Sequence, residues 1–286
     1  MNSLALRAIA AALVLGCGGT AARAADLEGL KNSPYYLSLG DSIPFGYDSR
    51  LLPPPNDNVF DATAYPWYLA QMIDLPLVNP SCEGQTSDGF TRTDGSDRGC
   101  FGFRVAYPQG MHVDYPGSQL EFAIGYLSAH SRPRLVTLMI GANDLQLLAD
   151  ACSWDPACLP RGLPPVLQGL GGNLAKILGA LRATSPETPI IVQNYYCPYA
   201  SPSPFDAAIQ ALNGTIEVVA GAFGLPISDV YGAFKAASEP FDGDPCKAGL
   251  LQVHPDGSCD QHPSPAGAQL IAETIAPLVP PWTGKP

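Results

Sequence analysis

The chain has 286 residues, 46% hydrophobic and 14% charged, with 26 acidic side chains against 15 basic ones and a formal net charge of −11. This suits a compact globular protein with one large core and excludes collagen-like, coiled-coil and disordered chains. An acidic balance of this size repels phosphate backbones and anionic lipid surfaces, so nucleic-acid binding is not expected.

Residues 1–25 read as a secretory signal: Arg7, an apolar run over 8–16, and Ala22-Arg23-Ala24 as the cleavage site. The run is too short to span a bilayer. Val14-Leu15-Gly16-Cys17 offers a competing lipoprotein signal, ending before Cys17, which would leave a lipid-anchored chain at the membrane periphery. Either way the expected location is secreted, periplasmic or cell-envelope. Removing 1–25 takes away Arg7 and Arg23, so the mature chain has 13 basic against 26 acidic residues, or −13. The mature segment 26–286 is expected to be one domain and a monomer, with "PLVPPWTGKP" as a disordered tail.

Five continuous apolar runs follow, at 35–39, 76–79, 135–140, 190–195 and 226–228. Runs without alternation mark strands of a parallel sheet covered on both faces. Helical patterns lie between them. Ser118 and Glu121 form a capping box, with Leu120, Ala123, Ile124 and Leu127 on one face. Ser203-Pro204 starts a helix with the stripe Ile209, Leu212, Ile216, Val219 and Phe223, stopped by Gly224. Ser264-Pro265 starts the last helix, running to about Ala276. The fold class predicted is α/β: a three-layer α/β/α sandwich around a parallel sheet of about five strands. The stretches 43–61, 85–117 and 144–163 read as irregular and gather at the carboxyl edge of the sheet, where ligands bind in open α/β folds.

Seven cysteines remain beyond 1–25, an odd number in a chain expected to meet an oxidising compartment. Sequential bridges Cys82–Cys100, Cys152–Cys158 and Cys246–Cys259 would each close a short loop and contribute up to about 3 kcal/mol. Cys197, at the end of an apolar run, is then the free thiol.

Three strand ends carry polar residues suited to chemistry. Gly40-Asp41-Ser42 follows the first strand, Gly84 the second and Gly141-Ala142-Asn143-Asp144 the third, while His262 precedes the last helix. A serine hydroxyl is a weak nucleophile until a histidine accepts its proton. A tetrahedral intermediate needs donors aimed at its oxyanion, which an Asn amide and two backbone N–H groups can supply. Gly84 lets the backbone approach closely. No G-x-S-x-G elbow, G-x-G-x-x-G or Walker-type loop is present.

This ordered set, with "LVNPSCEGQTS", "GSQLEFAIGYL", "VTLMIGANDL" and "IIVQNYYCP", resembles the SGNH (GDSL) hydrolase family over nearly the whole mature chain. The resemblance implies a flavodoxin-like sheet, Ser42 as nucleophile and His262 as general base. It also implies an oxyanion hole from the Ser42 and Gly84 N–H groups and the Asn143 side chain. One departure stands out: the usual acid position, three before the histidine, is Cys259. Asp260, two before, the Cys259 carbonyl and Asp256 all remain candidates to orient His262.

The expectation is a secreted serine ester hydrolase of lipase or carboxylesterase type, acting on small-molecule or lipid esters with no metal or cofactor. The alternatives are a carbohydrate O-acetyl esterase and an inactive SGNH-fold module that binds carbohydrate or lipid. Asp41 reads as a backbone-bonding residue, and His112 and His130 as surface or structural. Cys246, His254, Cys259 and His262 form a conceivable tetrahedral zinc set, but their spacing matches no common ribbon and export favours a disulfide. Asn213-Gly214-Thr215, a glycosylation triplet, falls inside a predicted helix, and Tyr195-Tyr196 suit either strand packing or an acyl site.

Overall fold

Strand β1 (Tyr35–Gly40) is buried at all six positions, as its unbroken apolar run requires of a central strand. The computed structural model describes residues 33–281, so the expected signal segment 1–25, Cys17 and the last five residues lie outside the described residues. With β2 (Leu77–Val78), β3 (Pro133–Met139), β4 (Ile190–Gln193) and β5 (Ile227–Ser228), β1 forms a parallel sheet in the order β2-β1-β3-β4-β5. That is the doubly wound order whose switch point lies between β1 and β3.

The helices in chain order are α1 (Ser42–Phe45), α2 (Tyr65–Met72), α3 (Ser87–Thr91), α4 (Cys100–Ala106), α5 (Gln119–Ala129) and α6 (Ala142–Ala151). They continue with α7 (Leu159–Thr184), α8 (Asp206–Ala222), α9 (Val230–Ser238) and α10 (Pro265–Ile275). Helices α5, α7 and α8 pack together as one layer and α2, α9 and α10 as the other, with the sheet between. The capping box at Ser118 and Glu121 is formed in full, and it points Leu120, Ala123 and Leu127 into the core.

The structure departs from the sequence reading in several places. Residues 144–151 are not irregular but belong to α6, and α7 runs 26 residues through Gly162, Pro164, Pro165, Gly169, Gly171 and Gly172. Pro164 and Pro165 lie inside the helix, and each removes one backbone N–H donor. Leu170, Leu174, Ile177, Leu178 and Leu181 are buried along it, so tertiary packing outweighs poor propensity. Helix α8 begins at Asp206, later than Ser203-Pro204. Ala276–Leu278, the onset of the expected disordered tail, is a 3-10 turn. A hairpin absent from the sequence reading, β6 (Leu251–Val253) and β7 (Cys259–Pro263), stands apart from the main sheet.

Disulfides join Cys82 to Cys100, Cys152 to Cys158 and Cys246 to Cys259, and Cys197 is the unpaired cysteine among the described residues. Asn213 is buried, with its amide bonded to the Tyr195 N–H and C=O at 2.8 Å each, so the glycosylation triplet is occupied by packing.

The end of β1 is held by an equivalent clamp. Gly40 lies at φ +146°, where an added Cβ would stand 2.0 Å from the Met139 carbonyl oxygen, so only glycine fits. Its N–H donates to Gln119 Oε1 at 2.7 Å, and Gln119 Nε2 donates to its carbonyl at 2.9 Å. Gln119→Leu strands a buried N–H and is expected to cost about 1–3 kcal/mol in urea unfolding. A loss under about 0.5 kcal/mol would show that the clamp carries no stability.

Candidate active site

Ser42 is the first residue of α1, directly beyond the end of β1. Asp41 caps that helix by accepting the Ile43 N–H at 3.0 Å. The Ser42 N–H is one of the helix-start donors that no helical carbonyl can satisfy. His262 arrives from β7. The hairpin is seated on the loop after α1 by Gln252 Nε2, which donates to the Tyr47 carbonyl at 2.8 Å. Arg50 Nη1 also donates to the Val253 carbonyl at 2.8 Å, and Arg50 is itself fixed by Asp48 at 2.6 Å. The Tyr47 ring packs against the His262 ring at 5.2 Å.

This seating brings His262 Nε2 to 2.9 Å from Ser42 Oγ. His262 Nδ1 lies 2.6 Å from Asp260 Oδ1, which also accepts the His262 backbone N–H at 3.0 Å. Asp260, rather than the Cys259 carbonyl or Asp256, therefore meets the imidazole; Asp256 is engaged with Ser258 in the turn. Two residues suffice because the carboxylate folds back onto its own strand. Burial alone would raise Asp260, but the hydrogen bonds and charge of His262 outweigh it and hold the carboxyl at about 2. An ionised Asp260 places the imidazole proton on Nδ1 and leaves the Nε2 lone pair toward the serine hydroxyl.

Asp41 meets the opposite environment. It is fully buried, and burial pushes its carboxyl up to about 7 even though the Tyr195 hydroxyl donates to it at 2.5 Å. Its contacts are a helix cap and a tyrosine, not Ser42 Oγ or His262.

Asn143 is the second residue of α6 and lines the same pocket as Ser42 and His262. Its Nδ2 donates to the Gln85 carbonyl at 3.0 Å, tying it to the loop that carries Gly84. Asp144 reinforces that tie, accepting the Ser87 N–H at 2.8 Å and hydroxyl at 2.5 Å. Gly84 sits at φ +70°, with its position for a Cβ 2.7 Å from the Arg98 carbonyl carbon, so this turn too demands glycine. Gly84 lies in the loop bound to Asn143, and the Cys82 N–H of that loop donates to the Gly40 carbonyl at 3.3 Å.

Beyond Ser42 the pocket is apolar, with an empty volume of about 710 Å³ including its mouth. Leu145, Ala149, Trp154, Phe205, Ala208 and Leu212 line it, from α6, α8 and the loop closed by Cys152–Cys158. Trp154 and the preceding Ser153 both adopt positive φ in that loop, which sets the indole edge-on to Phe205 at 5.9 Å. Tyr195 and Tyr196 also line the pocket, and the Tyr196 hydroxyl donates to the Gln261 carbonyl at 2.6 Å beside His262.

Several of these features escape a sequence reading. The pocket wall is assembled from helices whose stripes look like ordinary core, and the Asp144–Ser87 tie joins residues 57 apart. The zinc alternative is removed, because Cys246 and Cys259 are bonded to each other. His112 and His130 are buried rather than on the surface: His112 Nε2 meets the Phe45 carbonyl at 2.8 Å, and His130 stacks on Tyr126 at 3.8 Å.

A search of curated protein sequences finds no match. Among solved structures, the chain is similar to phospholipase A1 from Streptomyces albidoflavus NA297, at 21% identity and TM-score 0.55, covering 86% of this chain and 98% of that one. It is also similar to an extracellular lipase from Streptomyces rimosus, at 19% identity and TM-score 0.56, with 87% and 100% covered. A third likeness is to a mutant of an acetyl-xylooligosaccharide esterase from Geobacillus Stearmophilus, at 16% identity and TM-score 0.53, with 90% and 99% covered. At these identities the likeness establishes the fold. The sequence profile of the GDSL-like lipase/acylhydrolase family matches residues 38–270, most of the chain. The chain therefore belongs to that family, whose members hydrolyse carboxylic ester bonds.

Proposed function

We propose that this chain is an exported serine esterase that cleaves esters of apolar acyl chains through an acyl-enzyme on Ser42. The observation that carries the reading is the contact of Ser42 Oγ with His262 Nε2 at 2.9 Å, at the mouth of an apolar pocket. Ser42 Oγ attacks the ester carbonyl carbon and gives its proton to His262 Nε2, while Asp260 stabilises the imidazolium. The oxyanion is met by the Ser42 and Gly84 N–H groups and the Asn143 amide. His262 then protonates the departing alcohol. In the second half, water gives a proton to His262 and attacks the acyl carbon, which releases the acid and restores Ser42. The acyl chain lies against Leu145, Ala208 and Leu212.

Export is supported by the signal-like segment 1–25 and by three disulfides. Among the described residues no helix is long and apolar enough to cross a membrane.

Ser42→Ala is expected to lower kcat on short p-nitrophenyl esters at least about 10³-fold, and Asp260→Asn by on the order of 10²- to 10⁴-fold. Wild-type turnover in Ser42→Ala would sink the serine mechanism, and a loss under tenfold in Asp260→Asn would remove the carboxylate from it. Ala208→Leu tests the pocket by filling it. Across acetyl to palmitoyl esters and acetylated xylan, kcat/KM for octanoyl and longer esters should fall about tenfold, a change of about 1.4 kcal/mol, with acetyl esters within threefold. Equal losses on all esters, or preference for acetylated xylan, would refute the acyl-chain assignment.

A further inference from the structure

The turn of the hairpin holds a second histidine that the Ser42, His262 and Asp260 set leaves unused. His254 follows β6, and the turn after it is closed from within. The His254 N–H donates to the Ser258 carbonyl at 2.8 Å, and the Gly257 N–H to the His254 carbonyl at 2.9 Å. Asp256 Oδ1 accepts the Ser258 N–H and hydroxyl at 2.9 and 2.6 Å. From this frame His254 Nε2 stands 3.4 Å from Asp260 Oδ2. The other carboxylate oxygen, Oδ1, takes both His262 contacts. Asp260 thus lies between two imidazoles, one on each oxygen.

We propose that His254 is a positioning residue for the Asp260 carboxylate, and that its protonation state sets how much of that negative charge serves His262. The inference rests on the catalytic reading of Ser42, His262 and Asp260. While His254 is neutral, the carboxylate charge is committed to His262 and stabilises its imidazolium. When His254 takes up a proton, a cation at Oδ2 competes for the same carboxylate and disfavours a second positive ring at Oδ1. His262 then loses its proton more readily, so the active form persists to lower pH. The His254 side chain is about one-third exposed. Solvent therefore screens part of its charge.

Other charges face the same groups. Asp256 lies in the turn itself, and the Asp48–Arg50 pair and Tyr47 approach Asp260 from the loop after α1. Tyr196 approaches from the end of β4, while Glu83 and Asp41 act on His262 from the other loops. All are present in both the wild type and a His254 variant, so a comparison of the two isolates His254.

The test is His254→Gln, read by kcat/KM against pH and by proton NMR titration of the His262 ring. The acid limb and the His262 titration should both move up by about 0.5–1 pH unit, lowering activity about 3- to 10-fold at the foot of the limb. The plateau should stay within about threefold, and 1 M salt should shrink the displacement. In an Asp260→Asn background His254→Gln should move neither readout further. A merely structural role would lower the plateau or the stability without moving the limb. If Asp260→Asn abolishes turnover but His254→Gln leaves limb and titration within 0.2 unit, the His254 inference alone is overturned. If Asp260→Asn keeps turnover, the catalytic reading fails and takes this inference with it.

Discussion

A hydroxyl and an imidazole 220 residues apart meet at 2.9 Å, and the site depends on how the loops around that contact are held. At the carboxyl edge of the sheet each strand ends, and its last peptide groups lose their ladder partners in a buried place. Such groups must find other partners or destabilise the fold. Side-chain amides answer this well, because one group supplies both a donor and an acceptor. Gln119 grips both polar groups of Gly40, Asn213 both of Tyr195, and Asn79 donates to the Pro44 carbonyl at 2.8 Å. Asn143 does the same for Gln85 with its own amide. The loops that present Ser42, Gly84 and the pocket tyrosines are thus fixed from beneath.

The same edge drives two carboxylates apart. Asp260, paired with His262, is held at about 2 and stays charged, whereas Asp41, buried against Tyr195, is pushed to about 7. The two do different work. Asp260 offers a fixed negative charge to the His262 ring. Asp41 offers a cap whose charge is costly, and its hydrogen bonds go to Ile43 and Tyr195. Asp144 is a third case: burial raises it, and it is spent on Ser87 to lock the Gly84 loop.

Much of this architecture is legible before any coordinates. The strands announce themselves because both faces of β1, β3 and β4 are covered, which leaves unbroken apolar runs. Three polar strand ends and one pre-helix histidine then point to a single edge. Legibility fails where tertiary packing overrules local preference. The glycines and prolines of α7 disguise it, yet Leu170, Leu174, Ile177 and Leu181 bury one face of it. The hairpin is missed because its strands are three and five residues long and its partners come from the loop at 47–50. Asp260 is a candidate in the sequence, but its choice over the Cys259 carbonyl depends on a β7 backbone that puts the carboxylate beside its own strand's imidazole.

On the proposed reading, specificity and catalysis draw on different parts of the molecule. The reacting groups sit on short, heavily bonded segments: a four-residue helix, a hairpin stapled by Cys246–Cys259, and a loop locked by Asp144. The pocket is built from the faces of α6 and α8 and from one disulfide loop carrying Trp154. Its small residues, Ala149 and Ala208, lie where larger side chains would fill the space. Changing them alters the room for an acyl chain without touching a bond that positions Ser42, His262 or Asp260. A fold divided in this way can vary the ester it accepts while keeping the geometry that cleaves it.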